Sequence, residues 1–326
     1  MATAYAALRN AVLTVTGLPD DPSVTERLTG HDLECVLAHP DTPERVLVGS
    51  YDDGLYRSTD GGDSYERVEL PERRVMSLAA NPTDPEELWA GTEPSRVFRS
   101  TDGGLTWSER PGLTELPSAE EWYFPPRPDT HHVRWLEQDP HDPERLYVGV
   151  EAGALVLSED RGRTWRERPP GSRRDNHSLA THPGAPGRVY SAAGDGYALS
   201  EDYGATWEHP QEGLAHRYCW SVSPDPADPD TVLVSSASGA RSAHSQPAES
   251  YVYRREGEGE WERAMDGLPG PEGLLRPVLD AAGPGEQYAL TDRGLYRTTD
   301  NGRSWSGLTE WATAYENQTA RGLVVL

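Results

Sequence analysis

The sequence predicts an all-β protein, a seven-bladed β-propeller of four-stranded antiparallel blades that is closed by pairing its C-terminal strand with N-terminal strands. Three observations lead to this prediction. A short turn motif recurs along the 326-residue chain, apolar runs of strand length precede each copy, and hydrophobic residues make up only 35% while Gly and Pro number 32 and 28. This composition suits short strands and many turns better than helices.

The turn motif consists of Ser or Thr, Asp, Gly and a closing aromatic residue. Its Asp can accept backbone N–H groups across its own turn, and its Gly permits a positive φ. Good copies occupy residues 58–65, 100–107, 158–165, 200–207 and 298–305, and a degraded copy occupies 255–261.

Each copy closes a unit of four short strands in about 42 residues, which is the size of a propeller blade. Inner strands are expected to begin near residues 33, 74, 133, 177, 218 and 274, and a seventh spans 320–326. The seventh has no strands after it, whereas the runs at 4–8, 11–16 and 23–28 lack an inner strand. We therefore predict one propeller domain over residues 1–326, with blade seven shared between about 1–29 and 318–326, so that no sheet edge is left free.

The turn motif is similar to the Asp-box, or BNR, repeat, and the chain resembles BNR-repeat propellers of the sialidase-like and glycosyl hydrolase-like kind. That resemblance implies a structural Asp box on the rim opposite the usual active face. It also implies, from sialidases, a carboxylate held by arginines and a Tyr nucleophile paired with a Glu, for which Tyr218 with Glu93 or Glu151 is the corresponding choice here. The Phe-Arg-Ile-Pro segment of sialidases is absent, so we do not expect classical sialidase activity.

Charge and cysteine content limit the partners. The net charge is −24 and all 30 basic residues are arginine, so the surface repels phosphate backbones and no nucleic-acid partner is expected. No apolar run reaches the length of a membrane span, and the N-terminus lacks the pattern of a secretion signal. We therefore expect a cytoplasmic protein with a small-molecule or carbohydrate ligand, no membrane partner, and Cys35 and Cys219 as free thiols; the sequence leaves the oligomeric state open.

Two long insertions interrupt the repeat, at residues 112–132 and 238–250. Both fall in loops that share one face of a propeller, so they are expected to surround the same mouth, where long loops often carry function. Trp122, Tyr123 and Phe124, next to two prolines, are expected to form a stiff apolar wall there. A plug between blades is the other interpretation of this segment.

Residues at the starts of the inner strands line the channel of a propeller, and here many are Arg or His. Such a ring either binds a ligand or is neutralised by internal ion pairs and solvent. In a first interpretation these residues bind an anion through bidentate guanidinium hydrogen bonds. The predicted ligand-binding residues are Asp32, Arg73, Arg74, Trp122, Arg134, Trp220, Arg241, Arg276 and Arg321.

In a second interpretation, histidines from different blades converge on one divalent metal ion on the propeller axis, with Glu93 or Glu151 as a carboxylate ligand. The predicted metal ligands are His31, His132, His177 and His244. A histidine general base is the alternative role. The predicted catalytic residues are His132, His177, Tyr218, Glu93 and Glu151, and a two-carboxylate glycosidase site is also compatible with Asp32, Glu34, Glu93, Glu151 and Asp175.

Two classes of function remain open at the level of sequence. A polar funnel with two insertions on one face favours binding of a polar, anionic small molecule or sugar, with hydrolase or lyase chemistry. A non-catalytic scaffold is the alternative, by resemblance to the BNR propellers that assist photosystem II assembly.

Overall fold

The computed structural model describes residues 2–326, which form seven small antiparallel sheets. The first strand of each sheet lies next to the first strand of the following sheet, and the series returns to its starting point. The predicted seven-bladed propeller is therefore confirmed. Around the ring, the inner strands are Leu33–His39, Val75–Asn81, Val133–Gln138, Asn176–Thr181, Tyr218–Asp225, Val278–Gly283 and Ala320–Val325.

In blades three and four the second strand is buried along its whole length, because the neighbouring sheets cover both of its faces. Glycines in the second strands allow the close approach: a Cβ on Gly91 would lie 2.7 Å from the Cβ of Val133 in the next blade. Large apolar side chains fill the rest of the space between blades. The second strands are Thr42–Ser50, Asp84–Thr92, Leu146–Val150, Val189–Ala193, Asp228–Ala237, Glu286–Leu290 and Ala2–Leu8.

The outer strands are shorter and less regular. The third strands are Leu55–Ser58, Val97–Ser100, Ala154–Ser158, Gly196–Ser200, Ser250–Glu256, Gly294–Thr298 and Val12–Leu18. Fourth strands occur at Glu66–Val68, Ser108–Arg110, Glu262–Arg263, Ser306–Glu310 and Ser23–Arg27. In blades three and four, single bridges from Leu157 to Arg166 and from Leu199 to Glu208 replace a fourth strand.

The Asp-box turns connect third and fourth strands, and the hydrogen bonds match the structural role that the sequence predicts. In the second blade, Asp102 Oδ1 accepts the backbone N–H of Thr106 at 2.9 Å, and Asp102 Oδ2 accepts its hydroxyl at 2.6 Å. Although partial burial opposes it, these donors lower the pKa of Asp102 to about 2. The Gly103 N–H of this turn also donates to the carbonyl of Glu86, near the start of the second strand of the same blade, so the Asp boxes and the turns between first and second strands share one face.

Blade seven closes the ring as predicted. The strand Ala320–Val325 pairs antiparallel with Ala2–Leu8, and the backbones of Thr3 and Leu326 exchange two hydrogen bonds of 2.9 Å. The predicted start of the sixth inner strand is wrong by four residues, because pairing begins at Val278 and not near 274. Pro277 directly precedes that strand and has no N–H to donate to a ladder.

Asp280 adds a pH-dependent hydrogen bond to this closure. Its Oδ2 accepts the backbone N–H of Val325 at 2.8 Å, and burial raises the pKa of Asp280 to about 7. The folded protein therefore keeps a proton between about pH 4 and about pH 7 that the unfolded chain has released. The free energy of unfolding must then fall as pH rises through this range.

We expect Asp280→Asn to reduce the loss of unfolding free energy between about pH 5 and about pH 8 by about 1–2 kcal/mol, measured by urea denaturation. The expected value is below the full linkage energy because Asp280 also reaches water in the channel. Asp63→Asn removes an exposed carboxylate and should leave the pH dependence unchanged. Equal pH slopes for Asp280→Asn and the wild type would contradict this assignment.

Both cysteines are free, as predicted. Cys219 is fully buried and Cys35 is partly buried in inner strands of different blades. Within residues 2–326, no helix has the length and apolar character needed to span a bilayer.

Candidate functional site

One mouth of the channel opens into a cavity of about 570 Å³, which we call the funnel. Both insertions contribute to its wall, Phe124 to Arg127 from the first and Ala240, Arg241, His244 and Ser245 from the second. The first insertion contains short 3-10 helices at Leu113–Glu115 and Pro117–Glu121, and the second contains the helix Ala240–His244. The prediction that both insertions surround the same mouth is therefore confirmed.

A layer of ion pairs forms the floor of the funnel. Arg321 NH1 lies 3.0 Å from Glu34 Oε2, and Arg134 NH1 lies 3.6 Å from the same oxygen. Trp220 completes the layer, with the guanidinium of Arg134 4.8 Å from its ring centre. These residues also border a second cavity of about 540 Å³ at the opposite mouth, so the floor divides the channel into two halves.

A buried chain of one hydrogen bond and one ion-pair contact crosses one wall. His132 Nε2 lies 2.9 Å from Glu151 Oε2, and His132 Nδ1 lies 3.4 Å from Glu93 Oε2. Burial opposes a charge on the ring, but the two carboxylates outweigh it and raise the pKa of His132. For Glu151, His132 counteracts burial and lowers the pKa. For Glu93, His132 and Arg127 together counteract burial and lower the pKa to about 2. These shifts favour an imidazolium at His132 between two carboxylates.

Arg127 holds the outer end of this chain. It forms two hydrogen bonds to the Glu93 carboxylate, one of them 2.9 Å from Nε to Oε1. Its guanidinium also lies 4.8 Å from the ring centre of Tyr51 and 4.6 Å from that of Phe124. Arg74 contacts Glu93 from the other side, with NH1 3.3 Å from Oε1. The first insertion is thus attached to blade two through Glu93.

A second group lies where blades three and four meet. His177 Nε2 is 3.8 Å from Glu151 Oε1 and 3.7 Å from Asp175 Oδ1. Asp175 Oδ1 also accepts the backbone N–H of Ala152 at 2.7 Å. Burial, with the nearby Glu151 charge, raises the pKa of Asp175 despite the opposing effect of His177.

Tyr218 and Arg276 lie on the wall formed by blades five and six. Arg276 is 1% exposed, and its guanidinium lies 3.4 Å from the ring centre of Trp220. Its Nε donates to His244 Nδ1 at 3.1 Å. The remaining nitrogen, Nε2, therefore carries the hydrogen of the neutral ring and donates to the Tyr218 hydroxyl oxygen at 3.1 Å. Burial and the Arg276 charge lower the pKa of His244 to about 2, so its ring is neutral.

Comparison with known proteins gives a match to one repeat model and a set of similar folds. The family model for the BNR/Asp-box repeat matches residues 98–109, in the second blade, whose turn geometry is described above. One repeat of this seven-bladed propeller is therefore similar to the BNR/Asp-box repeat. No curated protein matches the sequence of this chain.

Solved structures similar to this propeller include two kinds of protein. The GH74 enzyme of Niastella koreensis is 16% identical with a TM-score of 0.67, and the GH74 xyloglucanase of Xanthomonas campestris is 17% identical with a TM-score of 0.64. Each match covers 93% of this chain but only 55% and 53% of the enzymes, so the chain spans about half their length. YCF48 bound to D1 peptide is 15% identical with a TM-score of 0.60, covering 99% of this chain and 95% of YCF48. At these identities the likeness shows the fold alone.

Most of the predicted site residues lie on or directly behind the funnel wall. Glu93, His177 and Arg276 lie behind it, each in contact with a lining residue. Arg74 lies outside, against Glu93 and Tyr51, and Arg73 is exposed. The predicted residues that line the funnel are Asp32, His132, Arg134, Glu151, Tyr218, Trp220, Arg241, His244 and Arg321.

Two predicted assignments differ from the structure. Trp122 does not form part of the funnel wall; it is 5% exposed and packs in the apolar core with Val150. The four predicted metal histidines form no common cluster within residues 2–326. His31 contacts Tyr56, and His132 lies between Glu93 and Glu151. His244 contacts Tyr218 and Arg276. Of the four histidines, only His177 belongs to a group with metal-ligand spacing among residues 2–326.

Arg9, Tyr51 and Arg127 line the funnel but were not predicted. Tyr51 directly follows the second strand of its blade, the same position that Glu93 and Glu151 occupy in theirs, so the repeat itself could have indicated it. Arg127 lies in an insertion, where no repeat predicts the direction of a side chain.

Proposed function

We propose that this propeller binds a polar, anionic small molecule or sugar in the funnel. The supporting observation is the charge of the lining, in which five arginines accompany four carboxylates, although the whole chain carries −24. Four of these arginines, Arg9, Arg127, Arg134 and Arg321, face carboxylates. Arg241 has no carboxylate within ion-pair distance among residues 2–326, so it supplies a free cation at the mouth.

The other lining groups suit the same class of ligand. The funnel volume lies within the usual range of about 300–1,000 Å³ for small-molecule sites, which combine aromatic walls with a few polar groups. Tyr51, Phe124, Tyr218 and Trp220 supply aromatic surface. Because His244 donates to the Tyr218 oxygen, the Tyr218 hydrogen is available for a ligand acceptor.

Hydrolase or lyase chemistry on the ligand is the catalytic form of this proposal, and the four lining carboxylates are its acid–base groups. A sialidase-type role for Tyr218 is not favoured, because burial and nearby carboxylates raise its pKa, whereas a nucleophile needs a lowered one or an adjacent base. The GH74 neighbours include a xyloglucanase, and a sugar ligand is consistent with that fold.

We expect glucuronate to bind to the protein more tightly than glucose in isothermal titration calorimetry, because only glucuronate carries a carboxylate. Arg241→Ala should weaken glucuronate binding by about tenfold, the value of one charge-assisted hydrogen bond, and leave glucose binding unchanged. Arg163→Ala removes the same charge from an exposed Asp-box turn and should have no effect. Equal affinities for the two sugars, no saturable binding of either, or equal losses in the two variants would overturn the proposal.

A non-catalytic scaffold is the second candidate function. It is proposed because the likeness to YCF48, which is bound to a peptide, extends over nearly the whole of both chains. The two candidates predict different ligands for the same mouth. Saturable binding of an extended peptide that Arg241→Ala leaves unchanged, without binding of glucuronate, would favour the scaffold.

A further inference from the structure

Three side chains from adjoining blades present potential metal ligands to one another at the side of the funnel. Glu151 follows the second strand of blade three, while Asp175 and His177 lie at the start of the inner strand of blade four. One ligand atom from each, Glu151 Oε1, Asp175 Oδ1 and His177 Nε2, lies within 4.8 Å of the other two. We propose that this triad binds a divalent transition cation of the Zn²⁺ type.

The orientation of His177 is the independent observation that points to a cation. Its Nδ1 lies 2.6 Å from the carbonyl oxygen of Cys219, and a carbonyl can only accept, so Nδ1 carries the hydrogen. In the neutral ring, Nε2 therefore has a lone pair, and two carboxylates lie close to this nitrogen. The ring is 1% exposed and Nε2 has no hydrogen-bond partner. A backbone carbonyl on the far nitrogen is also how metal-binding histidines are usually held.

The distances suit a metal better than a direct hydrogen bond. At 3.7 and 3.8 Å, Nε2 is too far from either carboxylate for a hydrogen bond. Tetrahedral Zn²⁺ with bonds of about 2.0–2.2 Å separates its ligand atoms by about 3.4 Å, so small side-chain shifts would close the triad around the ion. One imidazole and two carboxylates suit Zn²⁺ or Mn²⁺, whereas Ca²⁺ and Mg²⁺ prefer oxygen ligands alone.

The neighbouring groups leave a lone pair on each required atom; Asp175 Oδ1 accepts one hydrogen bond, from the Ala152 N–H, and keeps its second lone pair. His132 and Arg134 both approach Oε2 of Glu151, at 2.9 and 4.0 Å, and Oε1 remains for the cation. Asp175 has room because residue 194 is glycine: an added Cβ there would lie 2.0 Å from Asp175 Oδ2. Both carboxylates line the funnel, so the open coordination positions of the ion face the cavity. The inference goes beyond the proposed function and does not depend on an organic ligand.

The test is titration of ZnCl₂ into chelator-treated protein by calorimetry at high ionic strength, which screens nonspecific attraction to a chain of −24. We expect one ion per chain, and Asp175→Asn should weaken Zn²⁺ binding by at least about 100-fold. Asp32→Asn, which removes the same charge from the funnel lining outside the triad, should change the affinity less than about twofold.

Two further measurements keep the proposal falsifiable if one variant misfolds. Gly194→Ala displaces the Asp175 carboxylate without changing any charge, so it should also weaken Zn²⁺ binding, by about tenfold or more. X-ray absorption at the zinc edge should show one imidazole nitrogen in the coordination shell, lost in His177→Gln. No stoichiometric binding, a shell of oxygen alone, or equal losses in Asp175→Asn and Asp32→Asn would overturn the triad; binding of glucuronate would be unaffected by that failure.

Discussion

Removal of residues 320–326 is expected to abolish cooperative folding. The strand Ala320–Val325 is the inner strand of blade seven, pairs along its length with Ala2–Leu8, and contacts the inner strands of blades one and six. Its loss exposes two neighbouring inner strands as well as the Ala2–Leu8 edge. The lost backbone hydrogen bonds, at about 1 kcal/mol each, together with the buried Leu323 and Val325, approach the total stability of about 5–15 kcal/mol that proteins usually have.

Circular dichroism during heating and size-exclusion chromatography measure this effect. A matched control is a circular permutant that joins Leu326 to Ala2 through a short glycine linker and opens the exposed turn between Glu258 and Gly259. This permutant keeps every strand and should unfold cooperatively near the wild-type temperature, because the two ends already lie side by side. A truncated protein that unfolds cooperatively within about 1 kcal/mol of the wild type would show that the ring does not need this strand.

The ring architecture could be predicted from sequence because its signals are local and repeated. Each Asp box predicts one turn, and each apolar run of strand length predicts one strand. The number of blades and the shared blade seven therefore follow from counting these signals. The start of the sixth inner strand was misplaced because Leu274 and Leu275 are apolar and buried like strand residues, yet Pro277 delays the pairing until Val278. Apolar character alone does not distinguish a buried approach segment from a strand.

The candidate site was predictable as a location but not as a set of contacts. Residues at strand starts and insertions in equivalent loops indicate the mouth, since the repeat defines which loops share a face. The repeat does not determine rotamers. It could not show that His132 contacts both Glu93 and Glu151. Nor could it show that His177 Nδ1 binds the carbonyl oxygen of Cys219, or that Trp122 packs into the core. These outcomes depend on partners from other blades.

Trp220→Ala is expected to lower the free energy of unfolding by about 3–5 kcal/mol. Trp220 is 5% exposed and belongs to the layer that separates the two halves of the channel. Its ring also provides the apolar face for two guanidinium groups, those of Arg276 at 3.4 Å and Arg134 at 4.8 Å, and packs against His177 at 4.4 Å. Removing the ring leaves a cavity, and the buried Arg276 loses its cation–π contact.

Trp220→Phe is the control, because it retains an aromatic face in the same place and should cost about 1–2 kcal/mol. Urea denaturation of both variants measures the difference in their free energies of unfolding. Calorimetry measures their affinity for glucuronate, which the alanine variant should bind more weakly than the phenylalanine variant. Burial, together with Arg321 and Arg134, lowers the pKa of Arg276, so the loss of the aromatic face adds to an already unfavourable environment for its charge. If Trp220→Ala were as stable as Trp220→Phe, the floor would be held by its ion pairs alone, and Glu34 would replace Trp220 as the residue that keeps the two halves of the channel apart.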